Sequence, residues 1–207
     1  MIKRLRLPSL CIATLAALLA LPAGAEKGDR QQSLNISADR QAEVDFGGQL
    51  QAELTGRVVL SQGSLLMKAD RMLVRESADG YYQANASAEM GQQVSFSQRQ
   101  DKPGASIRGR ADRIEYDNRN DTVRFIGQAV VQTLQGEAVV QEASGAELVY
   151  NNRGEKLVIN PGSTSPNPNE RVRYVKMPAA GASADTAPTP GLTLKPVPML
   201  PASAPAK

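Results

Sequence analysis

A short phrase recurs along the chain and fixes most of what it can fold into. Ile36-Ser-Ala-Asp-Arg40 returns as Met67-Lys-Ala-Asp-Arg71 and as Gly109-Arg-Ala-Asp-Arg113, with a degenerate copy at Ser144-Gly-Ala-Glu-Leu148. After three of the copies, apolar side chains occupy alternate positions: Met72 and Val74, Ile114 and Tyr116, Leu148 and Tyr150. A period of two places such residues on one face of a strand and leaves the other face to water. Copies about 31 to 42 residues apart describe one small β-unit laid down repeatedly. A second phrase, Leu54-Thr-Gly-Arg-Val-Val-Leu60 and Phe125-Ile-Gly-Gln-Ala-Val-Val131, sets a glycine before a β-branched run. Turn-forming clusters at Phe46–Gln49, Ser61–Ser64, Ala78–Tyr81, Asp117–Asp121 and Asn151–Gly154 separate runs of strand length. No stretch sustains a helical period between caps. The pattern is all-β: a stack of hairpins forming a sandwich or open roll.

The ends differ from this body. Lys3, Arg4 and Arg6 precede an apolar run from Leu10 to Leu21, and Ala23-Gly-Ala25 supplies the small residues of a cleavage site. Residues 1–25 are therefore expected to be a signal peptide, and the run is shorter than the roughly 20 residues a membrane span needs. Cys11 opens the apolar run behind Leu10, which is not the position of a lipid-modified cysteine. Residues 26–33 are expected to be a flexible lead-in. Proline draws the other boundary: Pro103 is alone between Glu26 and Asn160, whereas ten of the thirteen prolines lie from Pro161 onward. Proline is excluded from central strands, so the folded domain is placed at 34–176 and a disordered Pro/Ala-rich tail at 177–207.

Composition removes several classes of function. Histidine is absent and Cys11 is the sole cysteine, which takes away the commonest general base and the commonest soft metal ligands. Neither phosphate-cradling glycine motif occurs, so nucleotide binding has no support. Removing residues 1–25 takes three Lys/Arg and no Asp/Glu from totals of 24 and 21, leaving 21 of each. A formally neutral chain lacks the cationic surplus of a nucleic-acid binder. The expectation is no enzyme, no cofactor and no metal. Asp117-x-Arg119-x-Asp121 lacks the glycine and glutamate of a calcium loop and reads as a hairpin turn. Asp39, Asp70 and Asp112 read as strand-heading residues that bond turn amides; as a rival, they would be the carboxylates of a polysaccharide hydrolase.

The body resembles the OstA/LptA family of periplasmic lipopolysaccharide-transport proteins. The resemblance rests on Leu54-Thr-Gly-Arg-Val-Val-Leu-Ser-Gln-Gly63 followed by Met67-Lys-Ala-Asp-Arg71. It continues through Val94-Ser-Phe-Ser-Gln98, Ala111-Asp-Arg-Ile-Glu-Tyr116, Phe125-Ile-Gly127 and Gly145-Ala-Glu-Leu-Val-Tyr150, and covers about residues 34–160. It implies an open, twisted β-jelly-roll of two antiparallel sheets. It also implies lipopolysaccharide as cargo, and head-to-tail stacking between an inner-membrane LptC-type protein and the periplasmic domain of an outer-membrane LptD-type translocon. Cleavage after Ala25 would leave no anchor, which makes the free-standing periplasmic bridge the expectation, with self-association along it.

On that reading the alternation names a lipid-facing lining. Leu34 and Ile36 stand at the N-terminal edge, followed by Val58, Leu60, Leu65, Met67, Met72, Val74, Phe96, Ile114, Tyr116, Phe125, Leu148 and Tyr150. Edge strands leave unpaired N–H and C=O groups that accept an added strand. The docking edges are expected at Leu34, Ile36 and Ala38 for the upstream partner, and at Val172 and Tyr174, in a last strand Arg171–Val175, for the next copy or the outer-membrane domain. The alternative is a structural β-repeat protein of the cell envelope that binds no lipid.

Overall fold

The computed structural model describes residues 28–45 and 47–178; the expected signal peptide and nearly all of the expected tail lie outside the described residues. The twelve strands are β1 (Asn35–Ser37), β2 (Gln41–Asp45), β3 (Gln51–Gln62), β4 (Leu65–Glu76), β5 (Tyr82–Ser87) and β6 (Val94–Arg99), then β7 (Ala105–Ala111), β8 (Arg113–Asp117), β9 (Thr122–Gln135), β10 (Ala138–Asn151), β11 (Lys156–Asn160) and β12 (Arg173–Lys176). Every pairing among them is antiparallel.

Four strands are about twice as long as the others, and their length makes the architecture. Each of β3, β4, β9 and β10 has one half in each of two sheets. The first sheet runs β2-β3-β4-β5-β8-β9-β10-β11. The second runs β1-β3-β4-β6-β7-β9-β10-β12. The result is one ladder creased lengthwise into two facing sheets, the expected jelly-roll of two antiparallel layers.

The recurring phrases mark the crease. In β3 the register breaks between Thr55 and Val58, and in β10, against β9, between Gly145 and Glu147. Gly56 and Arg57 have φ of 84° and 43°, and Gly127 and Gln128 have φ of 78° and 44°. Extra residues of this kind bend a strand sharply, and glycine meets the left-handed backbone at least cost. The Asp39 N–H donates to the Gly56 carbonyl at 2.7 Å, and the Asp112 N–H donates to the Gly127 carbonyl at 2.9 Å. The repeated aspartates therefore do not head successive strands, as the sequence suggested. Asp39 and Asp112 sit in the corners between β1 and β2 and between β7 and β8, whereas Asp70 lies in mid-β4. Of their carboxylates, Asp70 alone bonds a turn amide, that of Glu89 at 2.8 Å, and Asp39 instead pairs with Arg57.

Between the sheets lies one apolar cluster. Phe96 of the second sheet crosses to the first, its ring 5.8 Å from Phe125 and 6.5 Å from Tyr116. Gly109 admits this arrangement, since a Cβ there would stand 2.0 Å from the Phe125 ring. Within the lead-in, Gly28 opens a turn in which Asp29 is buried.

Candidate functional site

Cross-strand register turns the alternation into continuous inward rows. In the second sheet one row passes Ile36, Leu60, Met67, Phe96, Gly109, Val131, Ala143 and Tyr174. In the first sheet Ala42, Leu54, Met72, Ala86, Ile114, Phe125, Leu148 and Ile159 form another. A third passes Val44, Ala52, Val74, Ala84, Tyr116, Val123, Tyr150 and Leu157. None of the three rows holds a charged residue, and each reaches from the β1/β2 rim to the β11/β12 rim.

The structure brings the predicted lining together. Val58, Leu60, Leu65, Met67, Met72, Val74, Phe96, Ile114, Tyr116, Phe125, Leu148 and Tyr150 all belong to the interior cluster, and Leu34 and Ile36 pack against it at the N-terminal rim. These side chains fill the space between the sheets with one another. At the C-terminal rim a cavity of about 440 Å³ is bounded by Ile107, Val131, Tyr150, Leu157 and Tyr174 among others. Gln100 donates to the Tyr150 hydroxyl at 2.7 Å beside it.

The strands expected at the docking edges have different bounds. β1 ends at Ser37, so Ala38 lies beyond it, and Val172 precedes β12, which runs Arg173–Lys176 rather than Arg171–Val175. Each rim also holds two edges instead of one, because β2 and β11 end the first sheet as β1 and β12 end the second. Ala42 and Val44 alternate in Gln41–Asp45, as Leu157 and Ile159 do in Lys156–Asn160. That signal was available, but the neighbouring turn residues obscured it.

Opposite the crease, the hairpin tips of the two sheets meet in a polar seam that no motif announced. Asp29, only 5% exposed, accepts from the Ser64 N–H at 2.8 Å, the Ser64 hydroxyl at 2.5 Å and the Gln98 amide at 3.2 Å. Gln62 accepts from the Tyr82 hydroxyl at 2.8 Å. Asn152 donates to Gln98 at 2.8 Å and to Asp121 at 2.9 Å, and Arg30 reaches Asp121 at 3.5 Å. Ser64, Gln62 and Gln98 belong to the second sheet's tips, and Tyr82, Asp121 and Asn152 to the first's. Burial pushes the Tyr82 hydroxyl up, partly offset by hydrogen bonding with Asn118. Burial likewise raises Tyr116, with Asn118 lowering it in part, and no described residue lies within full hydrogen-bond geometry of its hydroxyl.

The Asp117–Asp121 stretch is a hairpin turn, with the Asp117 carboxylate accepting from the Arg119 and Asn120 amides at 2.9 and 3.1 Å. On the first sheet's outer face Arg124 joins Glu115 at 2.7 Å and Glu147 at 2.5 Å. Hydrogen bonds from Arg124 and then Asn160 hold Glu147 below the usual carboxylate range.

A creased jelly-roll with rim-to-rim apolar rows defines the class by architecture: an open-ended β-roll of two antiparallel sheets. Residues 35–156 match the family described as LptA/(LptD N-terminal domain) LPS transport protein, and the chain belongs to that family. The lipopolysaccharide export system protein LptA of Escherichia coli K12 is 31% identical over 134 residues, covering 60% of this chain and 66% of the relative. The protein of the same name from Haemophilus influenzae is 29% identical over 125 residues, covering 60% of this chain and 70% of its own. The fold matches the crystal structure of LptH from Pseudomonas aeruginosa with a TM-score of 0.62 at 22% identity, over 72% of this chain and 99% of that one. LptH is described as the LptA-homologous periplasmic component of the conserved lipopolysaccharide transport device.

Proposed function

We propose that this protein is an exported periplasmic carrier, not an enzyme, that holds the acyl chains of lipopolysaccharide between its two sheets and passes them from rim to rim. The observation that supports this reading most is the unbroken run of inward apolar residues from Ile36 to Tyr174 in one sheet and from Ala42 to Ile159 in the other. Each buried methylene is worth about 0.8 kcal/mol, so a chain of roughly a dozen carbons needs about 10 kcal/mol of continuous shelter from water. Rows in which one apolar patch resembles the next let a chain advance without a deep local minimum. Since the interior side chains fill the space between the sheets, acyl chains enter by spreading the sheets, and the polar seam is the side that parts.

Bridging follows from the rims. The β1 and β2 edges receive an inner-membrane LptC-type partner by strand addition. The β11 and β12 edges meet another copy or the periplasmic domain of an LptD-type translocon.

A photocrosslinking residue at Phe96 or Ile36, activated in cells, tests the cargo. A lipopolysaccharide adduct from interior positions, and none from Glu53 on the outer face, is the expected result. Absence of an adduct at every interior position would leave the structural β-repeat reading instead.

A further inference from the structure

The outer face of the second sheet gathers basic side chains around one cleft. Register places Lys68, Ser95, Arg110 and Val130 in one cross-strand row, and Leu66, Ser97, Arg108 and Gln132 in the next. Together these rows line a cleft of about 370 Å³. No ion pair or hydrogen bond among the described residues engages the side chains of Lys68, Arg108 or Arg110; other cations such as Arg71 and Arg99 are also unpaired, but these three share one cleft. The carboxylate on the continuing row, Glu142, lies two strands from Arg108 and pairs with Arg173, so an external anion would relieve the self-repulsion of the three cations.

We propose that this cleft is a binding site for a phosphorylated saccharide. Arg108 and Arg110 alternate on β7, about 7 Å apart, and Lys68 lies two strands away, about 10 Å across the ladder. That spacing exceeds one carboxylate and suits phosphates carried at separate points of a sugar. Guanidinium forks match phosphate oxygens in pairs, and the Ser95 and Ser97 hydroxyls offer further donors. Leu66 and Val130 give an aliphatic wall for the C–H face of a sugar ring. The volume is within the range of small-molecule sites, about 300–1,000 Å³. The basic side chains lie on the face opposite the interior, Phe96 and Gly109 of the inward row also line the cleft, and the proposal needs no acyl chain between the sheets.

Titration calorimetry with a glucosamine disaccharide bisphosphate lacking acyl chains tests it, since the probe has nothing to place between the sheets. The expected result is binding that weakens on adding salt, disappears with the unphosphorylated disaccharide, and falls at least about tenfold in Arg108→Gln/Arg110→Gln. Lys68→Gln, on a different strand, should weaken binding in the same direction and guards against a folding defect in the double variant. Equal affinity of the variants, binding without phosphate, inorganic phosphate binding as tightly as the bisphosphate, or binding only to phosphatidylglycerol vesicles would each overturn the proposal. Interior crosslinking to lipopolysaccharide in the double variant reports separately on the carrier reading.

Discussion

The two long sides of the roll close by different physics. At the crease the backbone itself turns: Gly56, Arg57, Gly127 and Gln128 hold left-handed conformations, and the strands run through from sheet to sheet. At the tips nothing covalent spans the sheets between one hairpin end and the next; side chains such as Asn152 and Gln98 do so through hydrogen bonds. A crease of this kind is a fixed hinge, while a polar seam exchanges its partners with water once it parts. A net hydrogen bond is worth only about 0.5–1.5 kcal/mol, so the seam is the weaker of the two closures.

Substitutions at the two sides should separate them. Gly127→Val forces a β-branched residue into φ of 78° and sets its Cβ 2.3 Å from Asp112 Oδ2. A loss of about 3 kcal/mol is expected from strain and overpacking together, read as a lower denaturation midpoint. A loss under about 1 kcal/mol would show a soft crease. Asn152→Ala strips a partner from both Gln98 and Asp121 and should cost about 1–3 kcal/mol. Amide exchange should rise at the tips of β6, β8 and β10 and stay unchanged at Gly56 and Gly127. Uniform acceleration would mean that seam and crease open as one.

Smaller effects sharpen the contrast. Tyr116→Phe removes a buried hydroxyl that no described residue meets in full hydrogen-bond geometry and should raise stability by about 1 kcal/mol; a loss would reveal a partner for it. Glu147→Gln, on the outer face just past the crease, should cost about 0.5 kcal/mol near neutral pH, as exposed ion pairs do. Because the folded carboxyl titrates below its usual 4.5, this advantage is complete above that value. It is lost as falling pH protonates the folded form. Melting curves of the two proteins should therefore converge in acid; a gap that persists there would assign the effect to packing.

Legibility in the sequence follows the same division. The interior was readable because alternation is local: Met72 and Val74, or Ile114 and Tyr116, show their common face without knowledge of any partner strand. The crease was visible as a repeat yet misread, since Ala-Asp-Arg marks a corner at Asp39 and Asp112 but mid-strand at Asp70. Which of these a copy becomes depends on the strand beside it. The seam was invisible. Asp29, Gln62, Gln98, Asp121 and Asn152 come from separate turns and strand ends, and each alone is an ordinary polar residue. The basic cleft was half visible, with Arg108 and Arg110 two positions apart in sequence and Lys68 added only by pairing.

By itself the sequence determined an all-β roll, the face each strand buries and the family to which the roll belongs, because period-two patterning and recurring phrases are properties of neighbouring residues. Tertiary structure alone decided that the inward faces join into rows from rim to rim, that each rim has two free edges and that the tips meet in a polar seam. Those features depend on register between strands distant in the chain, where a shift of one residue would turn every side chain to the opposite face.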